Sequence, residues 1–571
     1  MFGTQKDKLF DTPKKTQKFP TSNAFTAFGM KSAAEARPGN GALKYNKQEC
    51  PFVTEFGNCA VFKDPRAYDA VSESMSKMWS TDPALCIKFA MYLRLITRTT
   101  SFPDGSKCET TQRGQGLRNE GILRMMWLAI NKPEAFQANL GLYVAAGSWR
   151  DIFTMLQTDL ACNGWDGRLL DWDFLGNFIT AGLENPNTTH LVRKWLPTIR
   201  NKKNCNTIGA QANHMIGAWL ASKLFADTEA KEGRYKQYRQ MKAGGTAHQW
   251  QQLISRGQHD MVNFDTVAGR ALSLMVSGKY LENKNLTAKY EEWIDAKPVA
   301  KFTGYPYELF KAFGKLGLQN PMKLKPYEAM TLEKQFDGLV QEAAKNAETN
   351  TSMIVVRDTS CSMTSMGRGT GVTAHVVAKS LALFFGRLLP DGPFANSWIE
   401  FNNTATMHQW VGDTVVEQWN NDKCESYGST NFQGVFDLFC KAKANGVPEE
   451  QFPTGILCVS DGMFNPAQDL DKTNVDAARA KLTKAGFSPE FVENFKIVLW
   501  DVPNDYYGKQ AGHFETYKTN VPNVFHFSGL DGSVITFLTG QKGQDKNSTP
   551  QTAEELFEAA MDQQVLNLVQ V

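Results

Sequence analysis

At 571 residues the chain is too long for one compact core, and its 42% hydrophobic and 21% charged residues are ordinary for globular domains, so two large domains or three smaller ones are expected. The net charge of +3 hides an asymmetry: residues 1–45 hold eight Lys/Arg against three Asp/Glu, 101–325 hold 29 against 20, and 326–571 hold 18 against 30. A basic first part and an acidic second part imply different partners for the two. No apolar run reaches the roughly 18 residues of a membrane-spanning helix, and the basic N-terminus MFGTQKDKLFDTPKKTQKFPTS lacks the apolar centre of a signal peptide. The ten cysteines are scattered from Cys50 to Cys458 with no CxxC pair and no zinc-like Cys/His spacing, which predicts reduced thiols and a cytoplasmic location.

In chain order, residues 1–45 are rich in Lys, Thr, Ser, Gly and Pro and read as a flexible basic arm. A helical domain is expected over 46–340. Its segments PALCIKFAMYLRLIT, NEGILRMMWLAI, TIGAQANHMIGAWLASKLFA and DTVAGRALSLMVSGKYL carry apolar residues at spacings of three and four. Helices in series, separated by short polar turns and without intervening strands, suggest hairpins stacked into a HEAT-like α-helical repeat domain. No strict period is present.

After about residue 345 the texture changes. SMIVVRD, NSWIEFNN, TATMHQWV, TGILCVSD, FKIVLWDV and NVFHFSG read as strands, and GVTAHVVAKSLALFFGRLL, NFQGVFDLFCKAKANG and VDAARAKLTKAG as the helices between them. This alternation predicts an α/β doubly wound, mostly parallel sheet over 345–571. A final helix, TAEELFEAAMDQQVLNLV, opens with a capping signature, Thr552 followed by Glu555.

Ligands of doubly wound sheets sit beyond the carboxyl ends of the parallel strands. Three oxygen-rich segments fall there: Asp358-Thr-Ser360-Cys-Ser362 after MIVVR, Ser429-Thr430-Asn431 before FQGVFDLF, and Ser460-Asp461-Gly462 after GILCV. Alternate residues of an extended loop point the same way, so Asp358, Ser360 and Ser362 can converge. Carboxylates and hydroxyls without imidazole or thiolate suit a small hard cation, Mg²⁺ or Mn²⁺. A rival pattern, Gly369-Thr-Gly371-Val-Thr-Ala374, matches a dinucleotide fingerprint but lies too far beyond its strand. Cys361 with His375 fails as a nucleophile and base, because nothing turns His375 toward Cys361. No convergent acid–base set remains, so no enzyme is expected.

DTSCSM resembles the DxSxS motif of von Willebrand A domains. The resemblance implies a metal-ion-dependent adhesion site: Asp358, Ser360 and Ser362 match the motif, Thr430 its later Thr, and Asp461 its later Asp. It also implies an open metal position that a carboxylate of a protein or ligand partner fills. The order YLRLIT…RGQGLRNEG…NLGLYVAAGSWRDIF, followed by STNFQGVFDLF and GILCVSDGMFNPA, resembles the TROVE module of the Ro autoantigen family and its relatives ending in an A domain. That resemblance covers roughly residues 65–565. It implies a ring of helical repeats closed by the A domain, and binding of structured or misfolded small RNA as a ribonucleoprotein.

Two basic clusters stand out in the helical part. Arg193, Lys194, Arg200, Lys202 and Lys203 fall in RKWLPTIRNKK with no acid among them. Lys231, Arg234, Lys236, Arg239 and Lys242 fall in KEGRYKQYRQMK, interleaved with Tyr235 and Tyr238. Cations neutralise phosphates and aromatic rings stack on unpaired bases, so both clusters are candidate RNA contacts. The reading is a non-enzymatic RNA-binding scaffold with a cation-bearing C-terminal domain. Its rival is a protein–protein assembly or adhesion component of a large complex or viral particle, without RNA.

Overall fold

The computed structural model describes residues 50–59, 68–95, 99–109, 114–200, 207–243, 249–302, 304–314, 321–346, 352–366, 371–422, 424, 428–462, 464–465, 473–502, 521–528 and 552–571. The expected arm of residues 1–45 lies outside them. The described chain gathers into two compact units, one holding 68–252 with 561–571, the other holding 50–59 with 253–560. The division therefore falls at 252/253, earlier than the change of texture near 340–345. Two short segments explain why each unit is discontinuous. Phe52 and Phe56 of the helix Pro51–Cys59 pack their rings on Phe557, at 5.9 and 5.5 Å. In the other unit the Asn139 side chain clamps the backbone of Gln570, donating to its carbonyl at 2.5 Å and accepting from its N–H at 2.9 Å.

The first unit is mainly helical, and its helices start where the sequence supplies caps. Asp82, Ser148, Asp171 and Thr207 each accept a backbone N–H of the first turn, which satisfies a donor that the helix itself leaves open. Pro133 opens the helix Pro133–Ala146 with only Lys132 between it and the end of Arg118–Asn131, where its missing N–H costs nothing. One expectation is corrected here: the helical series is interrupted by strands, β1 (Thr99–Ser101) pairing antiparallel with β2 (Lys107–Glu109). The turn between them carries Asp104, whose carboxylate accepts from the N–H and hydroxyl of Ser106, and Gly105 at φ +87°. Pro-Asp-Gly-Ser is a turn signal, and Thr99, Thr100 and Phe102 before it favour a strand.

The second unit is built on a six-stranded sheet. Its strands are β3 (Met353–Asp358), β4 (Ser397–Phe401), β5 (Ala405–Gln409), β6 (Gly455–Ser460), β7 (Lys496–Asp501) and β8 (Val524–Ser528), in the order β5-β4-β3-β6-β7-β8. All neighbours are parallel except β4 and β5, which a short turn joins as an antiparallel hairpin. Every residue of β3 and β6 is buried, because helices cover both faces of the sheet. On one face Ile354, Val356, Ile456 and Cys458 meet Val435, Phe436 and Phe439 of the helix Gln433–Ala444 and Ala478 and Leu482 of Asn474–Lys484. The helix Ala374–Gly386, buried along its whole length, packs against β3 and β4 and also against Pro306–Phe313. The last helix is shorter than predicted, Ala553–Met561, although Thr552 caps it by accepting from the Glu555 N–H at 3.2 Å.

Candidate functional site

Sheet order alone locates one site. From β3 the chain goes to β4 on one side, whereas β6 begins the other half of the sheet, so the crevice at the carboxyl ends of β3 and β6 is the switch point of a doubly wound fold. Asp358 ends β3 and Ser460 ends β6, and register places them opposite one another, one residue beyond the pair Arg357 and Val459. Ser460 donates its hydroxyl to Asp358 Oδ2, and Asp358 Oδ1 accepts the N–H of Ser360 at 2.8 Å. The hydroxyls of Ser360 and Ser362 lie 3.1 Å apart, but the loop is not extended as expected: Ser362 stands in the 3₁₀ helix Cys361–Thr364 that Ser360 opens. Thr430 is buried, and its backbone pairs with Asn465, four residues past Asp461: Asn465 N–H donates to the Thr430 carbonyl at 2.9 Å. Asp358, Ser360, Ser362, Thr430 and Asp461 are all buried residues of these three loops.

Burial, with the Asp461 carboxylate beside it, pushes the Asp358 carboxyl up to about 7. A buried carboxyl beside another charge of its own sign resists ionising, and a bound divalent cation reverses that preference. Carboxyls and hydroxyls, with no imidazole or thiolate, are the donor types that suit a hard cation. Ser460 is the member that the DxSxS pattern does not contain. Its adjacency to Asp461 at a strand end was the only available signal.

A second buried network lies behind this loop on the opposite side of β3. Arg357 reaches Asp422 at 2.9 Å and His375 Nε2 at 2.8 Å, and its guanidinium lies 4.0 Å over the Trp398 ring. Lys379 completes the network, 3.1 Å from Asp422. His375 is thus turned to Arg357, as its dismissal as a base for Cys361 requires. Nothing in the sequence pointed to Asp422, which stands just after the helix Val415–Asn421.

The two basic clusters occupy neighbouring elements of the helical unit. The helix Lys231–Ala243 packs on Thr189–Trp195 and the segment after it, where Tyr238 donates to the Pro197 carbonyl at 2.9 Å and Lys242 to the Leu196 carbonyl. Lys194, Arg200, Lys231, Lys236 and Arg239 are exposed. Arg193, Arg234 and Lys242 are half-buried; Arg234 is spent on the carbonyls of Thr228 and Glu229, at 2.5 and 3.3 Å. Lys202 and Lys203 lie outside the described residues. The aromatic interleaving has a different meaning from the one expected. Tyr235 and Tyr238 are buried against the helical core, so they anchor the helix and offer no face to a base. Arg118, from the glycine-rich turn, is drawn with Arg94 to the buried Asp151, at 3.7 and 2.5 Å.

No family profile matches the chain, and no curated protein matches its sequence. Among solved structures, the Ro protein (RSR) of Deinococcus radiodurans is similar at 14% identity and a TM-score of 0.34, over 83% of this chain and 94% of that one. At those values the likeness is weak, and the fold stands on the topology described above. Among the described residues, no helix is long and apolar enough to cross a membrane.

Proposed function

We propose that the chain is a non-enzymatic RNA-binding scaffold: its helical unit carries the RNA contact, and its α/β unit a cation site for a carboxylate of a protein or ligand partner. The observation that supports the first half is the bond from Tyr238 to Pro197, which packs two basic segments far apart in sequence against each other. Lys194, Arg200, Lys231, Lys236 and Arg239 are exposed there and suited to phosphates. The segment 326–571, with 18 basic and 30 acidic residues, repels a polyanion. One divalent cation does not reverse that sign.

Asp358, Ser360, Ser362, Thr430 and Asp461 would hold Mg²⁺ or Mn²⁺, which supplies positive charge for a partner's carboxylate when bound. The protein's own part is to bury the two carboxyls side by side and to fix Asp358 through Ser460 and the Ser360 N–H. Titration of the full chain with a structured small RNA at two salt concentrations tests the reading. Saturable binding that weakens with salt is expected. No binding at low salt returns the chain to the reading of an assembly component.

A further inference from the structure

The hairpin of β1 and β2, which the helical periodicity did not foretell, forms one wall of a cavity of about 640 Å³ in the first unit. The other walls come from the helices Pro133–Ala146, Trp149–Asn163, Trp172–Glu184 and Thr189–Trp195. Drug-sized ligands occupy pockets of roughly 300–1,000 Å³, so the volume suits a mononucleotide. The walls are held in place: Asn185 and Asn187 both donate to the Pro103 carbonyl at the hairpin tip, at 3.2 and 2.9 Å. Trp149 packs so closely on the helix Trp172–Glu184 that a Cβ at Gly182 would lie 2.3 Å from its ring.

The lining combines two chemistries. Trp149 and Phe178 line one side with their rings 5.2 Å apart and 30° from parallel, and Trp195 adds a third aromatic. Lys107 and His190 also line the cavity, and none of its described lining residues is acidic. Over the Trp195 ring lie Arg150 and Lys194, at 5.2 and 5.3 Å. A flat apolar wall with cations and no carboxylate selects a flat ring that carries an anion. We propose that this cavity takes an unpaired nucleotide, its base against the half-buried rings of Phe178 and Trp195 and its phosphate toward Lys107 and His190. The proposal deepens the RNA reading and rests on it for a strand as the source. A free nucleotide has the same chemistry.

Gly141 supplies a clean test, because it lines the cavity and a Cβ there meets nothing within 4 Å. Gly141→Leu therefore starts its side chain in open space and extends it into the cavity, and Leu is the better helix former. Lys107→Glu, at an exposed position, reverses the charge without touching the core. The full chain and both variants are titrated with a single-stranded tetra-adenylate, with AMP, and with a blunt RNA duplex that has no unpaired base. Both variants are expected to weaken the tetra-adenylate at least tenfold while the duplex affinity holds and the melting temperature does not fall. AMP binding as tightly as the tetranucleotide supports the pocket with a free nucleotide as its source; a strand more than tenfold tighter supports it with RNA as the source. Tetra-adenylate bound with no duplex binding supports the pocket and overturns the basic-surface reading alone. The proposal is overturned if neither single-stranded ligand saturates, or if both variants bind the tetranucleotide as the wild type does.

Discussion

The Tyr238 hydroxyl donates to the Pro197 carbonyl at 2.9 Å across 41 residues of sequence. In the helix Lys231–Ala243, Tyr235 and Tyr238 stand three apart and so share one face, which is buried. Lys236 and Arg239, each one residue on, are exposed, as are Lys194 and Arg200 on the neighbouring element. The burial of two phenols leaves these cations of the helix to solvent.

Replacing Lys194, Lys231, Lys236 and Arg239 with Ala is expected to weaken RNA binding and to lessen its salt dependence. Each single-stranded phosphate contact contributes roughly 0.7 to the slope of log K against log salt, so four lost contacts flatten it by up to about three units. Anisotropy titrations at several salt concentrations measure this. Arg234→Ala should change the slope little, since its guanidinium is bound to backbone carbonyls. An unaltered slope in the quadruple variant would place the RNA elsewhere.

Asp358→Asn is expected to have opposite effects on the protein with and without a cation. Without cation it removes one of two carboxyls buried side by side, and the variant should melt higher than the wild type at neutral pH. With Mn²⁺ at 100 times its dissociation constant, the wild type gains about 2.7 kcal/mol and the variant nothing. Melting curves with EDTA and with Mn²⁺, alongside calorimetric titration, check both signs. Equal Mn²⁺ affinity in the two proteins would sink the site.

Stability should fall with pH below the ordinary pKa of histidine. His375 is fully buried, and burial with the charge of Arg357 holds its pKa well below 6.5. The guanidinium can only donate, so His375 Nε2 accepts and the ring is neutral in the folded protein. Below pH 6.5 the unfolded chain takes up a proton that the folded one does not. Stability contributed by the neutral ring is thus present above 6.5 and declines by up to about 1.4 kcal/mol per pH unit beneath it. Denaturant unfolding at pH 7, 6 and 5 should show a shallower decline for His375→Gln; parallel declines would clear His375 of the effect.

Two glycines of the helical unit should answer Ala substitution with opposite signs. At Gly182 the new Cβ would lie 2.3 Å from the Trp149 ring, and overpacking of this kind costs roughly 1–3 kcal/mol. At Gly141 nothing lies within 4 Å, so Ala should stabilise the helix by up to about 1 kcal/mol. Chemical unfolding of both variants checks the pair, and similar values for the two would contradict the packing described here.

Much of the α/β unit was legible in the sequence because its signals are local. A buried strand such as Met353–Asp358 is a short β-branched run, and each of the six predicted runs is a strand of the one sheet. The DxSxS loop could be read for the same reason, since Asp358, Ser360 and Ser362 are near neighbours, although a 3₁₀ helix rather than extended alternation brings Ser362 to Ser360. Helix starts at Asp82 and Ser148 follow from caps that act within one turn.

Tertiary structure decided everything that depends on which distant segments meet. Tyr235 and Tyr238 at helical spacing read equally well as a stacking platform or as a buried face, and only the helix packed against them made them core. The partner of Arg357 lies 65 residues away at Asp422, and the hydroxyl that meets Asp358 lies 102 residues away at Ser460. The hairpin Thr99–Glu109 carries a local turn signal but has too few residues for periodicity to register, and only the fold makes it a wall of the cavity. The physical reason is common to all three. Turn chemistry and hydrophobic period are set by residues a few places apart, whereas pairing of remote groups is set by the burial that the whole fold imposes, which no single segment encodes.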